Sequence, residues 1–266
     1  MGTSIKFNNM NHPFFSIITA SYNNDRSIQK TISSIKKQTF QNYEHIVIDG
    51  GSTDQTFSIL QQISKHYCLR YISEKDDGIA DAMNKGIHLA RGKYIVFIHA
   101  DDELAHNNTL RDVFNDISIN QNKVCAYSIY YTSNDERNVA SPIRVPYWYK
   151  FRNTIPHQGA FVHTDIFRKF GKFDTSFSIS MDYKFFYKIL LAGEPIYYSN
   201  RVASLMGSGG ISSNPANVRD RLTQEFRIQN DLETSFFWKL LQKTFQYLYF
   251  IYKIYFFHST KKQNTQ

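Results

Sequence analysis

Two adjacent carboxylates, Asp101 and Asp102, follow closely on the apolar run Tyr94-Ile95-Val96-Phe97-Ile98. Five apolar residues rich in β-branched and aromatic types read as a strand buried on both faces. Like charges side by side at the end of such a strand repel unless a cation or a donor-rich ligand lies between them. The carboxyl ends of strands in open α/β sheets are also where ligands bind. The pattern points to a divalent metal, Mn2+ or Mg2+, with Asp102 as its ligand and Asp101 shared between that metal and a ribose. A hard cation there stabilises the negative charge that builds on a diphosphate when a nucleotide-activated sugar loses its sugar. An acid that merely caps the next helix is the plainer alternative.

Other residues capable of chemistry fall at comparable places. Asp49 closes an apolar run and precedes Gly50-Gly51-Ser52. A carboxylate after a second strand can accept hydrogen bonds from a base N–H or a ribose hydroxyl; a turn-forming role is the alternative. Thr19, Ser21 and Tyr22 make the matching lip on the first strand, where Tyr22 either stacks on a base or packs in the core. Asp182, in Ser180-Met181-Asp182-Tyr183-Lys184, opens a helix and complements its dipole at the least. Gly209 and Gly210 lie in a Gly-Ser stretch on the acceptor side, whose backbone N–H groups either fold over a diphosphate or belong to a surface loop.

The elements that must position these residues come in strand–helix pairs. Residues 14–20 form a first strand, followed by a helix capped near Asn24 or Asp25 with Ile28, Ile32 and Ile35 on one face. A second strand spans 43–48, and its helix starts at Ser52 or Thr53. A short third strand spans 69–73, with a helix over 79–90 stopped by Gly92. The central strand and a helix carrying Leu110, Val113 and Ile117 complete a fourth unit. Four such units in a row predict a parallel sheet with right-handed crossovers. After residue 120 the pattern changes. A strand over 124–131 pairs antiparallel with 139–145 across a polar turn, 146–158 is a loop crossing the sheet, and a helix covers 181–191. The fold class is α/β, a doubly wound, mostly parallel sheet with a small antiparallel portion. Residues 14–122 form a nucleotide half and 123–212 an acceptor half of one domain (1–212), and 213–266 is a helical extension.

Four segments carry a family resemblance: Ser16-Ile-Ile-Thr-Ala-Ser-Tyr-Asn23, Ile48-Asp-Gly-Gly-Ser-Thr-Asp54, Ser73-Glu-Lys-Asp-Asp-Gly-Ile-Ala-Asp-Ala-Met-Asn-Lys-Gly86 and His99-Ala-Asp-Asp102. Together they resemble the inverting glycosyltransferases of family 2, with the GT-A fold, and within them the subgroup that builds bacterial capsule, exopolysaccharide or lipopolysaccharide. The resemblance implies a nucleotide site of Thr19, Ser21, Tyr22, Asn23, Asp49, Gly51, Ser52, Asp77, Asp81, Lys85 and Asp101. It makes Asp101-Asp102 the tail of a metal motif and Asp182 the base that deprotonates the acceptor hydroxyl, with Asp174 in reserve. It also puts the pair His157-Gln158 on the acceptor side, where a structural histidine is the alternative. The donor implied is a nucleotide-diphosphate sugar, with uridine diphosphate first, and the acceptor a glycan or lipid-linked hydroxyl. Two departures stand out: His99 takes the place of the usual Asp or Asn, and Met83 that of an arginine, whose charge falls to Lys75 or Lys85, with an ordinary surface lysine as the alternative for either.

Composition bounds the alternatives. A formal charge of +8 suits an anionic partner. It is spread along the chain without an aromatic–basic recognition motif, which argues against nucleic acid. Ser21-Tyr-Asn-Asn-Asp-Arg26 contains no glycine, which counts against a sugar-1-phosphate nucleotidyltransferase and against a dinucleotide oxidoreductase. A non-catalytic nucleotide-sugar-binding module remains the other class. Two cysteines without C-x-x-C spacing predict neither a zinc site nor a disulfide framework. The first 12 residues lack an apolar core and no apolar run reaches about 20 residues, so a cytoplasmic protein without a membrane span is expected. Over residues 236–257, Lys239, Gln242, Lys243, Gln246 and Lys253 fall on one helical arc and the remainder is aromatic or aliphatic. That division predicts a helix lying in a membrane interface; packing of the apolar side on the domain or on a second copy, as a homodimer, is the alternative.

Overall fold

The structure, a computed structural model, describes residues 12–133, 136–207 and 215–263. Four parallel strands form the first part of its sheet: β1 (Phe15–Ser21), β2 (Tyr43–Asp49), β3 (Leu69–Ser73) and β4 (Tyr94–Phe97). They lie in the order β3-β2-β1-β4. Crossovers run through α1 (Ile28–Lys36), α2 (Thr56–Ile63) and α3 (Ile79–Leu89). Ile17, Ile18, Ile46, Val47 and Val96 are fully buried, as the uninterrupted apolar runs of a sheet covered on both faces require. Each such side chain contributes about 1.5–3 kcal/mol through burial.

The sheet continues past β4 with a mixed portion. The two-residue strand β5 (Glu103–Leu104) leads into α4 (Thr109–Asn120), and then β6 (Val124–Ser133) and β7 (Glu136–Ala140) form an antiparallel pair. Strand β8 (Ala160–His163) lies antiparallel between β4 and β6. After α5 (Thr164–Phe170) and α6 (Met181–Leu191), β9 (Ile196–Met206) returns parallel to β6 and pairs with β5. The resulting order is β3-β2-β1-β4-β8-β6-β9-β5. The region expected as a loop over 146–158 holds two short 3-10 turns, Trp148–Lys150 and His157–Gly159. Beyond it come α7 (Val218–Leu232) and α8 (Phe236–Gln263).

Two helix starts differ from expectation for one reason. The loops after β1 and β2 are stitched to each other: Asn24 N donates to Thr56 Oγ1 at 2.9 Å, Asp25 N to Asp54 Oδ2 at 3.0 Å, and Thr53 N to Asn23 Oδ1 at 2.8 Å. Residues that read as caps thus serve the neighbouring loop, and the helices begin later, at Ile28 and Thr56. Of the two arrangements expected for the last helix, packing of its apolar side on the domain is not the one adopted. Gln242 and Gln246 are buried against the domain, whereas Phe236, Phe237, Leu240, Tyr247, Leu248 and Tyr252 are exposed. Gln242 Nε2 helps to set that orientation, donating to Lys150 O at 2.8 Å and Tyr187 Oη at 3.0 Å. Among the described residues, no helix is long and apolar enough to cross a membrane.

Candidate active site

Strand register brings the predicted residues to one edge. Ser21 pairs with Asp49, and Asp49 with Ser73. Beyond β4 the chain stays alongside β1, with Ile98 N bonded to Ile18 O and Ala100 N to Ala20 O. The His99–Asp102 turn is therefore level with the end of β1.

The two acids of that turn face differently. Asp102 is 2% exposed, and its carboxylate accepts hydrogen bonds from His99 N at 3.1 Å and Gly207 N at 2.9 Å. Burial, then the charge of Asp101, pushes its carboxyl up to about 6. Asp101 is only half-buried, and a side chain on Gly207 would collide with its carboxylate. Asp102, expected to lead in metal binding, is thus the more deeply buried of the two. Asp102 anchors the turn, and Asp101 presents the more accessible carboxylate. The donor set suits a hard cation, because Mg2+-like ions are bound through one or two carboxylates plus substrate phosphates. Among the described residues, no group of three or more His, Cys, Asp or Glu could hold an ion by itself.

His99, where a carboxylate was looked for, points inward. It is 7% exposed, neither ring nitrogen has a hydrogen-bond partner among the described residues, and burial holds it down to about 3, so it is a neutral imidazole. Its ring lies 5.1 Å from that of His157. His157 Nδ1 is in turn 3.1 Å from Asp182 Oδ2, which also accepts from Asn153 Nδ2 at 3.0 Å. Burial alone would lower His157. The hydrogen bond and the charge of Asp182, with those of Asp102 and Asp101, outweigh it and raise the imidazole above its ordinary value. His157, bonded to Asp182 and within reach of the charges of Asp102 and Asp101, thus lies between the two sets of acids, with the His99 ring packed beside it. Asp182, His157 and Gln158 line one cleft of about 310 Å3. Asp174 is tied to Lys184 at 2.6 Å, and that bond draws it down to about 2, so it is a poor base.

On the donor side, two residues expected at the nucleotide face inward. Thr19 is fully buried, donating to Ile98 O at 2.6 Å and lying 3.0 Å from His45 Nε2. Asp49 is also fully buried, accepting from Ser52 N at 3.2 Å and Ser73 Oγ at 2.6 Å. Both hold the sheet edge and its loop through these bonds. Tyr22, 60% exposed, stands at the lip, and the Ser21 hydroxyl beneath it is buried without a partner among the described residues. Asn23 takes φ 52° and donates its amide to Ser52 Oγ at 2.8 Å. Gly51 takes φ 80°, which a side chain would strain. Across the lip, the Asp77 amide donates to Asp81 Oδ2 at 3.3 Å, and Lys85 pairs with Glu74 at 3.0 Å and Asp81 at 3.3 Å. Met83 is fully buried in the core. Gly209 and Gly210 lie outside the described residues.

Some functional candidates carried no signal in the sequence. Asp76 touches the place a Gly50 side chain would fill, and burial raises its carboxyl; the Gly50-Gly51 pair was the available hint. Asn153, Arg221 and Glu225 reach the Asp182 cleft from a loop and from α7, with no local motif to mark them.

Comparison with known proteins bears on the family and the fold. Residues 16–176 match the family described as Glycosyl transferase family 2. A PGL/p-HBAD biosynthesis glycosyltransferase of Mycobacterium bovis is 30% identical over 178 residues, covering 65% of this chain and 68% of that protein. An uncharacterised glycosyltransferase of Mycobacterium tuberculosis is 29% identical over 191 residues, covering 69% and 71%. Among solved structures, a Pyrobaculum calidifontis mannosyltransferase in complex with GDP-Man and Mn2+ superposes with a TM-score of 0.67 at 16% identity, over 93% of this chain and 74% of that one. Residues 1–349 of S. aureus TarS in complex with UDP-GlcNAc give 0.65 at 16% identity, over 87% and 70%. The chain spans 39% of a longer TarS structure. These likenesses show the GT-A type of fold.

Proposed function

The chain belongs to glycosyl transferase family 2, and on that footing we propose that it moves a sugar, with inversion, from a nucleotide-diphosphate donor to a hydroxyl of a glycan or lipid-linked acceptor in surface-polysaccharide synthesis. Uridine diphosphate is the first nucleotide to test, since TarS binds UDP-GlcNAc; the archaeal mannosyltransferase takes GDP-Man, which makes guanosine the second. The observation that carries the reading is the arrangement of acids: Asp101-Asp102 at the sheet edge and Asp182 in the cleft bonded to His157, whose imidazole is raised by the charges of all three.

Asp182 is the base. Its Oδ2 is held by Asn153 and His157 while it lines the cleft, so it is aimed before the acceptor arrives. An inverting transfer needs one such group, which takes the hydroxyl proton as the oxygen attacks the anomeric carbon from the face opposite the leaving diphosphate. Tyr22 and the β1–β2 loops border the base and ribose. Asp101, with Asp102 behind it, would hold Mn2+ or Mg2+, which supplies positive charge for the departing diphosphate. Lys85 is committed to Glu74 and Asp81 and orders the lip without adding net charge.

The exposed apolar side of α8, flanked by Lys239 and Lys243, suits the cytoplasmic surface of an anionic membrane, where a lipid-linked acceptor would be met. The test of the reaction is nucleoside diphosphate release from a panel of uridine, guanosine and thymidine diphosphate sugars, with and without Mn2+. Metal-stimulated release from one of them is expected. No release from any donor overturns the enzymatic reading and favours a non-catalytic binding module.

A further inference from the structure

The wall of the Asp182 cleft opposite the sheet comes from helices beyond the family-matched residues. Arg221 and Glu225 of α7 and Phe245 and Tyr249 of α8 all line it. Glu225 is 9% exposed, and its carboxylate lies 3.8 Å from Arg221 Nε. Behind it Gln246 is buried, and its side chain hydrogen-bonds the Glu225 carboxylate. Across the same cleft, His157 Nε2 is buried and without a partner among the described residues. Buried polar groups in native proteins are almost always satisfied by protein, water or ligand. An unpartnered imidazole nitrogen facing a buried carboxyl across one cleft calls for a ligand that brings hydroxyls.

The aromatic members specify its shape. Phe245 and Tyr249 lie in parallel, 5.8 Å apart and 7° from coplanar, and Phe151 closes the corner 5.1 Å from Phe245. Aromatic faces beside a carboxyl and amides suit a ring that is apolar on its faces and polar around its rim. A volume of about 310 Å3 lies at the small end of ligand clefts, which run to about 1,000 Å3. It admits the terminal ring or two of a glycan and not a long chain.

We propose that α7 and α8 form the acceptor-reading wall of this enzyme, with Glu225 holding a ring hydroxyl and Phe245 and Tyr249 lying against the ring, so that the acceptor end presented to Asp182 is a sugar and not a simple alcohol. This rests on the glycosyltransferase reading and adds the residues that choose the acceptor. Glu225 is a specificity-determining residue, remote from the bond that breaks, and burial raises its carboxyl to about 7, which lets it donate as well as accept near neutrality.

Saturation-transfer NMR on the full chain tests this, using methyl glycosides of common hexoses as probes, n-octanol as the non-sugar control and uridine and guanosine diphosphates in a separate arm. At least one glycoside should receive saturation at its ring protons while octanol does not. Glu225→Ala and Tyr249→Ala should each weaken that glycoside about tenfold, equivalent to about 1.4 kcal/mol, with Glu225→Gln close to wild type and the weakening confined to the glycoside arm. Two variants on different helices guard against one that fails to fold, which circular dichroism would reveal. Absence of any glycoside signal, or a signal unchanged in both alanine variants, overturns the wall. Failure of both nucleotides to bind with glycosides still bound would instead count against the donor reading above.

Discussion

A carboxylate that removes a proton from a hydroxyl has to be aimed and backed by donors that fix it without taking its last lone pair. Asp182 meets these conditions through Asn153, His157 and the Tyr183 amide, which bonds its other oxygen at 2.7 Å. Asp182→Asn should keep the shape and lose the base, lowering kcat by about 10²–10⁴ with nucleotide affinity unchanged; single-turnover transfer and a binding titration separate the two. His157 sets the pH response. Its imidazole is raised above the ordinary 6.5, and while it is protonated its charge weakens Asp182 as a base. Transfer should therefore climb as pH rises through that raised value, and His157→Gln should flatten the climb in a rate–pH profile. Stability runs in the opposite sense. A histidine raised in the folded state contributes fully below its unfolded value and loses that contribution as pH rises through the folded one, so melts should soften over the range where activity appears. At this scale the sequence was informative where a motif fixes a backbone position, as at Asp101, Asp102 and Asp182. It was silent on which way a side chain points. Thr19 and Asp49 end their strands as expected, yet their partners, His45, Ser52 and Ser73, turn them inward, and none of those pairings leaves a trace in local spacing.

Between elements, the junction of α7 and α8 with the domain depends on polar contacts in a dry place. Lys150 and Glu233 form an ion pair with side chains only 6% and 4% exposed, and the lysine also lies over Trp238 at 4.9 Å. Glu233 closes α7 as well, accepting from the Thr234 and Ser235 amides at 3.0 Å each. Removing one partner of such a pair leaves a buried charge alone, so Lys150→Met should cost about 3–5 kcal/mol in denaturant unfolding. Limited proteolysis should then open the chain around residues 234–235. Burial would raise Glu233, but Lys150 and the two amides prevail and hold it below the ordinary carboxylate value. Its contribution is therefore present above the unfolded value and lost as pH falls through the folded one, and the Lys150 variant should lack that acid-side loss. The four strand–helix units were legible because periodicity and strand-end polarity agree there. The starts of α1 and α2, the two-residue β5 and the orientation of α8 were not. Each depends on a contact distant in sequence: the Asn23–Thr53 and Asp25–Asp54 stitches, the β5–β9 pairing, and the grip of Gln242 on Lys150 and Tyr187.

For the molecule as a whole, that orientation leaves an apolar ridge facing away from the catalytic cleft. Phe236 is 81% exposed, Phe237 62%, Leu240 54%, Tyr247 66% and Leu248 60%, far more contiguous apolar surface than isolated surface residues account for. The same helix lines the cleft with Phe245 and Tyr249, so whatever covers the ridge sits one helix thickness from the acceptor wall. Lys239 and Lys243 flank it in a chain of net charge +8, which favours an anionic lipid surface over a second, equally basic copy of the chain. Full-length protein should sediment with vesicles containing phosphatidylglycerol and much less with neutral vesicles. Each juxtamembrane lysine contributes about 1 kcal/mol to that attraction, so the binding should weaken as salt is added. Leu240→Glu with Leu248→Glu, two exposed positions that touch neither Lys150 nor Glu233, should abolish sedimentation while the melting temperature stays near that of the parent. If the double variant instead becomes monomeric from a dimeric parent and vesicle binding was never present, the ridge is a subunit interface and the membrane assignment falls.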